Sequence, residues 1–357
     1  MQKLKFALFG TGFWSRFQLG GWMETGAVEC VAFYNRTRSK AEALAKEFNV
    51  PNVYDNAEEL LDKEQLDFVD ICTNVETHAL FTQMAAERGL PIVCQKPMAT
   101  TLAEAESMVN VARQADVPLY INENWRWQYP LRQLKAALDR GSIGQVFRAR
   151  IDYRNSFPVF DNQPFLKELE QFILTDIGSH ILDVARFLFG EAKTLYCQTY
   201  RVHPDIKGED VATVMMAMES GATVICELSY ASPREHDRFP ETYVQIEGRN
   251  GFLELAPDHW IRETIGGVTH SKRHVPPRYT WADPAYDLVH SSIYACQENL
   301  AQALLGHAQA ETTAEDNVKT VQLVFGSYAS AASGQVIQLP LTSERYEALT
   351  QRALPQQ

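Results

Sequence analysis

Long hydrophobic runs, a surplus of positive charge, clustered cysteine and low-complexity sequence are all missing from this chain. None of its 357 residues falls in a stretch approaching the ~20 uninterrupted apolar residues of a membrane span, so no membrane partner is expected. Lysine and arginine number 33 against 45 aspartate and glutamate, a formal net charge of −12, which argues against nucleic acid or an anionic surface as partner. The 6 cysteines show no metal-ligand spacing, and Cys30, Cys72, Cys94 and Cys226 lie in or beside apolar strand-like runs, where they read as small buried hydrophobes. A strand-like run begins at Leu4 with no secretory leader before it, and the expected setting is a reduced cytoplasm. No repeat or linker interrupts the sequence. What remains is a globular mix, 45% hydrophobic and 22% charged, long enough that two domains are the natural expectation.

The first 120 or so residues alternate strand and helix patterns. Strands are expected at Leu4–Phe9, Val28–Tyr34, near Val53, at Leu66–Cys72, Pro91–Gln95 and Pro118–Ile121, with helices at Ser39–Phe48, Asn56–Asp62, Thr77–Arg88 and Thr101–Ala115. That rhythm predicts βαβ units and a doubly wound parallel sheet, a Rossmann domain over 1–122. From Val146 to His274 most segments are strand-like: Val146–Tyr153, Thr194–Val202, Ala212–Met218, Thr223–Tyr230, Tyr243–Glu247 and Phe252–Leu255. Their short, turn-rich links predict an α+β domain over 123–357 with a large, mostly antiparallel sheet. Helices are expected at Asp176–Phe189, Ala285–Leu305 and Thr313–Ser333, the last two packing back on the first domain.

Gly10-Thr11-Gly12 stands where the first strand gives way to a helix. The first glycine permits the sharp turn. The second, lacking a Cβ, lets a pyrophosphate approach backbone N–H groups at the helix N-terminus. Ser15 occupies the place of the usual third small residue, and the alternative is a bare structural turn. Phe13 and Trp14 fall within reach of the same ligand. The second strand ends in Asn35-Arg36 rather than the acidic residue common in NAD-binding chains. Asparagine can bond ribose hydroxyls without repelling a 2′-phosphate, and Arg36 can pair with that phosphate, so residue chemistry leans toward NADP or dual use. The loop Thr73-Asn74 to His78 runs beside the nicotinamide half, with His78 either contacting the cofactor or packing at a helix start.

Gln95-Lys96-Pro97 ends the fifth strand, at the sheet edge where ligands of open α/β sheets bind, and Lys96 is expected to point into the cleft. Around Thr175–Asp183 and just beyond, an apolar stripe of Ile177, Ile181, Val184 and Leu188 leaves Asp176 and His180, four apart, on another face. A helix start with Thr175 as cap and Asp176 favouring the N-terminus explains Asp176 and leaves His180 unexplained. Asp176, His180 and Asp183 resemble metal ligands, but no further histidine or cysteine spacing supports a metal, and none is expected. Trp125, Arg126 and Trp127, after the last strand of the first domain, form either a packing wedge or a wall for nicotinamide and a polyol.

Taken in order, Gly10-Thr11-Gly12, Thr73-Asn74…His78, Lys96-Pro97 and Asp176-Ile177-Gly178-Ser179-His180-Ile181-Leu182-Asp183 resemble the glucose–fructose oxidoreductase/inositol dehydrogenase (Gfo/Idh/MocA) family over nearly the whole chain. The resemblance implies that Lys96 is the catalytic lysine, with Asp176 and His180 as its acidic and basic partners. The family usually has glutamate before that lysine, and here it is Gln95. Gly12-Phe13-Trp14-Ser15, Glu123–Gln128, Phe157–Phe160, Glu170–Asp176 and His236–Thr242 resemble the branch that oxidises D-apiose to its lactone. That branch implies NAD, which is the reading taken, with NADP possible.

A dehydrogenase needs a base for the hydroxyl proton, and Lys96 and His180 are the two candidates. His180 is assigned the base's part at the anomeric hydroxyl of a small aldose, Lys96 anchors that hydroxyl, and Asp176 orients the sugar. Trp125, Trp127, Asn155 and Phe157 line the sugar and Arg126 bridges to cofactor or substrate. The expected partners are a small sugar and further copies of the chain, as a dimer or tetramer. Other readings are a different aldose or polyol dehydrogenase, an NAD-using glycosidase, or a non-catalytic dinucleotide sensor.

Overall fold

The computed structural model describes residues 3–353. The chain divides into two compact units, one running to Asn124 and including Arg278–Val318, the other comprising Trp125–Pro277 and the chain from Lys319. The expected domain limits, 1–122 and 123–357, are therefore corrected: residues 278–318 return to the first unit.

In that unit six parallel strands, β1 (Leu4–Phe9), β2 (Val28–Tyr34), β3 (Asn52–Tyr54), β4 (Phe68–Ile71), β5 (Ile92–Cys94) and β6 (Leu119–Ile121), lie in the order β3-β2-β1-β4-β5-β6. The crossovers are α1 (Ser15–Thr25), α2 (Arg38–Phe48), α3 (Ala57–Lys63), α4 (His78–Ala86) and α5 (Leu102–Gln114). The strands read as near-continuous apolar runs because helices cover both faces. Phe6, Trp22 and Phe68 are wholly buried, with Phe6 and Phe68 stacked at 4.9 Å. Helix starts follow the capping residues, Asn56 accepting from the Glu59 N–H and Thr101 from that of Glu104.

The second unit holds a nine-stranded sheet made from β7 (Val146–Arg154), β8 (Ala192–Tyr200), β9 (Val211–Met218), β10 (Thr223–Ser229), β11 (Tyr243–Gly248), β12 (Gly251–Ala256), β13 (Trp260–Ile265), β14 (Val268–Arg273) and β15 (Ile337–Gln338). All its pairings are antiparallel except β7 with β10. Alternation in β9, with Ala212, Val214, Met216 and Met218 buried between exposed Thr213, Met215 and Ala217, marks one covered and one open face. The strand pattern missed the hairpin β13–β14, whose Gly266-Gly267 turn has φ of +57° and +80°. Helices α6 (Tyr129–Asp139), α7 (Val159–Asn162) and α8 (Ser179–Phe189) belong here. The helix expected over Asp176–Phe189 instead begins as a π turn, Leu174–Gly178, and becomes α-helical at Ser179.

Three late helices follow: α9 (Asp287–Leu304), α10 (Ala314–Ser333) and α11 (Ser343–Ala353). α9 packs on α1 at adjacent glycines. A Cβ on Gly20 would lie 2.9 Å from the Trp281 ring, and one on Gly21 would lie 2.2 Å from Gln297 Oε1. Beyond α9 the Ile121 N–H donates to Thr312 O at 2.8 Å, so the returning segment also covers β6. Among the described residues no helix is long and apolar enough to cross a membrane.

Candidate active site

In the first unit the β1–α1 turn is built for a ligand at its rim. Gly10 has φ +96°, and a Cβ there would meet the Cys72 carbonyl oxygen at 2.5 Å, so only glycine fits. Gly12 faces open space, with no atom within 4 Å of where a Cβ would stand. Ser15 is buried and its Oγ donates to Gly10 O at 2.9 Å, so the residue replacing the third small position ties the turn to the helix. The N–H groups of Gly12, Phe13 and Trp14 have no protein acceptor among the described residues, as an anion-binding helix start requires. Phe13 is 81% exposed, beside Phe17, while Trp14 packs edge-on to His290.

Asn35 is committed on both sides. Its Oδ1 accepts the Thr11 N–H at 3.3 Å and its Nδ2 donates to Thr37 O at 2.8 Å, so it joins the glycine turn to the β2–α2 loop. Arg36 is exposed and has no acidic partner among the described residues, whereas Arg38 pairs with Glu42 at 2.9 Å. Thr73 accepts from the Thr77 hydroxyl at 2.8 Å, and Asn74 is exposed at the loop crest. His78, expected among the cofactor contacts, is corrected to a clip between loops. It is 1% exposed, with Nε2 3.2 Å from Thr73 O and Nδ1 3.1 Å from Pro97 O and 3.3 Å from Met98 O. Its ring therefore lies between the Thr73 loop and the one carrying Lys96, and burial lowers its pKa while the three carbonyls pull the other way.

Lys96 is half-buried where β5 ends, and its bond to Pro97 is cis. Gln95 beneath it is buried; its Oε1 accepts the Lys96 N–H at 3.1 Å and its Nε2 donates to Gln18 Oε1 at 2.9 Å. Gln18 in turn donates to Asp70, a wholly buried carboxylate in β4 that also accepts from Trp22 and Asn122. Burial pushes Asp70 up to about 6, against the lowering pull of those three donors. Asp70 did carry a sequence signal, since an aspartate inside Phe68-Val69-Asp70-Ile71 contradicts the composition of a strand buried on both faces.

In the second unit the π turn presents Asp176, and the first turn of α8 presents His180. A π turn spaces residues more widely than an α turn and recurs where side chains serve chemistry. Its start is held by Glu209, whose Oε2 and Oε1 accept the N–H groups of Phe172 at 3.3 Å and Leu174 at 3.2 Å, while its backbone oxygen takes that of Ile173 at 3.1 Å. Tyr328 donates to Glu209 at 2.8 Å and meets the Thr175 hydroxyl at 3.1 Å. Burial raises both the Glu209 carboxyl and the Tyr328 hydroxyl. Asp176 is half-buried and its Oδ2 accepts from Tyr230 Oη at 3.2 Å. His180 is 3% exposed and stacked on Trp125, ring centres 4.3 Å apart, while Trp125 donates from Nε1 to Thr242 at 3.2 Å. Tyr230, Glu209 and Tyr328 carried no spacing signal, since strands and loops distant in sequence bring them here.

The role expected for Arg126 is corrected. It is buried and bidentate to Asp183, at 2.7 and 2.5 Å, with Thr320 on the same carboxylate. The pair holds the Trp125 turn to α8, which also accounts for Asp183. Trp127 is half-buried under the Arg132 guanidinium at 4.4 Å. Asn155 accepts the Phe157 N–H at 3.0 Å and keeps a buried Nδ2 with no acceptor among the described residues. Phe157 stacks on Phe239 at 4.0 Å. No group of three or more His, Cys, Asp or Glu among the described residues is placed to hold a metal ion.

These features define an NAD-binding oxidoreductase. Residues 4–123 match the model of the oxidoreductase family with an NAD-binding Rossmann fold, and residues 131–254 match the GFO/IDH/MocA C-terminal domain. The chain belongs to the Gfo/Idh/MocA family. It is 37% identical over 350 residues to a D-apiose dehydrogenase of Paraburkholderia graminis, covering 98% of this chain and 93% of the relative. The D-apiose dehydrogenase of Rhizobium rhizogenes is also 37% identical, over 95% of this chain and 98% of its own. A solved oxidoreductase from Agrobacterium radiobacter, in complex with NAD+, L-tartaric acid and magnesium, superposes with TM-score 0.92 at 36% identity, over 94% of this chain and 98% of that one.

Proposed function

We propose that the chain oxidises D-apiose at the anomeric carbon to its lactone. The observation that carries this reading is the 37% identity to two D-apiose dehydrogenases over nearly the full length. Bound NAD would supply the hydride acceptor. The Gly10–Trp14 turn would hold its pyrophosphate on three unpaired N–H groups, flanked by Thr73 and Asn74. His180, its ring plane fixed by Trp125, takes the proton from the anomeric hydroxyl, and Lys96 anchors that hydroxyl and stabilises the developing negative charge. Asp176, steadied by Tyr230, orients the sugar, and Asn155 offers its unspent Nδ2 to a further hydroxyl.

The test is a panel of aldoses and polyols with NAD and with NADP, reading absorbance of the reduced cofactor. The reading expects the highest kcat/KM with D-apiose and net accumulation of NADH. Faster turnover of another sugar, or turnover without net NADH, would overturn it. A second reading, dual cofactor use, has its own observation in Arg36, exposed and without an acidic partner among the described residues. The open face of the nine-stranded sheet, with Met215 47% exposed among ion pairs such as Arg148–Glu247, is where we propose that copies of the chain associate. Sedimentation of a pure monomer at micromolar concentration would refute that association.

A further inference from the structure

Asp70 and Lys96 are joined by two glutamine amides in series. Asp70 Oδ2 accepts from Gln18 Nε2 at 2.8 Å, Gln18 Oε1 accepts from Gln95 Nε2 at 2.9 Å, and Gln95 Oε1 accepts the Lys96 N–H at 3.1 Å. Asp70, Gln18 and Gln95 are 0%, 1% and 8% exposed, so water cannot take over a broken link. An ionised carboxylate accepts and never donates, whereas an amide does both. Asp70 therefore forces Gln18 to turn its NH2 inward and its oxygen toward Gln95. Gln95 must answer with NH2, which leaves its own oxygen for Lys96. Gln297 Nε2 pins the Gln18 main chain by donating to its carbonyl at 2.9 Å.

We propose that Asp70, Gln18 and Gln95 form a positioning relay, in which one buried carboxylate sets the direction of two amides and through them the backbone from which the Lys96 side chain departs. The relay deepens the function proposed above and rests on Lys96 serving there. In this role its three members act through Lys96 and need no contact with the reacting atoms. Its signature is polarity rather than packing: at position 95 the group facing Gln18 must donate while the group facing Lys96 accepts.

Gln95→Glu tests that polarity. The ionised side chain sets oxygen against Gln18 Oε1, and Gln18 cannot invert without turning its own oxygen on Asp70. Only the protonated carboxyl restores the pattern, donating O–H to Gln18 and accepting from Lys96. The other ionisable groups nearby are Asp70, which titrates at about 6, Lys96, and the thiols of Cys72 and Cys94, which burial raises; Asn122 and Gln297 do not titrate. Variant and wild type are compared at each pH, with folding checked by NADH binding. At about pH 8 kcat for D-apiose oxidation should fall about tenfold to hundredfold, the range for a buried mismatched hydrogen bond. That gap should narrow toward about pH 6.5, still above the midpoint at which Asp70 takes up its own proton, while Gln95→Met loses rate to the same extent at every pH. Gln18→Met, which leaves Asp70 its other two donors, should also lower kcat with little change in KM for NAD.

Wild-type kcat in Gln95→Glu, or equal and pH-independent losses in Gln95→Glu and Gln95→Met, would overturn the relay. Lys96→Ala separates the two levels of inference. If it retains turnover, the proposed role of Lys96 falls and the relay with it. If it abolishes turnover while Gln95→Glu behaves as wild type, the relay alone is wrong.

Discussion

Replacing Asp70 by asparagine should change how stability responds to pH, and the sign can be worked from the structure. Burial raises the Asp70 carboxyl from 3.8 to about 6 in the folded protein, while Gln18, Trp22 and Asn122 pull it the other way. Between those values the native protein holds a proton that the unfolded chain has released. The group's contribution is therefore fully present below about pH 4 and is lost as pH rises toward about 6, after which it is constant. At about 1.4 kcal/mol per tenfold change in proton affinity, the rise from 3.8 to about 6 amounts to about 3 kcal/mol. Asparagine has no such titration. It keeps an oxygen for Gln18 and Trp22, and Asn122 can invert its amide to meet the new NH2. Urea unfolding of both proteins, followed by tryptophan fluorescence at intervals from about pH 4 to 7, gives the difference in free energy at each pH, with other titrations cancelling. That difference should move by about 3 kcal/mol in the variant's favour across the window. A difference that stays flat would refute the assignment of a buried, proton-binding carboxylate at this position.

His180→Asn, which keeps a polar group but no basic nitrogen, should lower kcat by about 10²–10⁴-fold and flatten the pH–rate limb of the base; wild-type turnover and pH dependence with only reduced Tm would make the Trp125–His180 stack a packing contact. Arg36→Ala should weaken NADP far more than NAD, because only NADP offers a 2′-phosphate to a guanidinium; equal losses, measured by titrating each cofactor, would assign Arg36 to the adenine or the fold. Gly10→Ala puts a Cβ 2.5 Å from the Cys72 carbonyl at φ +96° and should cost at least about 1–2 kcal/mol of stability together with most NADH affinity, whereas unchanged binding would show that the turn gives way. Arg126→Met removes the bidentate partner of Asp183, leaving it the Thr320 hydroxyl and the Arg186 guanidinium at 3.8 Å, and should destabilise by about 1–3 kcal/mol; intact stability with a raised KM for the sugar would return Arg126 to the substrate.

The first sheet was legible because parallel strands covered on both faces are unbroken apolar runs, and β1 and β2 fall at Leu4–Phe9 and Val28–Tyr34 as the pattern predicts. What local pattern could not reveal was where a polar side chain spends its hydrogen bonds. His78 and Arg126 have the right chemistry for ligands, yet one has its ring nitrogens against three carbonyls and the other is bidentate to Asp183. The π turn at Leu174–Gly178 escaped notice because its support comes from Glu209, 33 residues beyond Asp176 in the sequence. The β13–β14 hairpin was readable in principle from Gly266-Gly267, a two-residue turn that favours tight strand reversal. The return of residues 278–318 to the first unit follows from a pair of helical glycines whose cost in helix propensity makes sense only beside Trp281 and Gln297.

Those two glycines also set an order of events during synthesis. The bare face of α1 has its covering helix more than 250 residues downstream, at Asp287–Leu304. As the chain leaves the ribosome, the six strands of the first sheet are complete by Ile121, yet their unit lacks Trp281, Gln297 and the Thr312 carbonyl that caps β6. Domains normally mature from the N-terminus onward. Here the dinucleotide-binding unit, first to be made, is among the last parts of the chain to be finished, and a fragment ending at Pro277 would be left with an apolar groove on α1 and a self-associating fate.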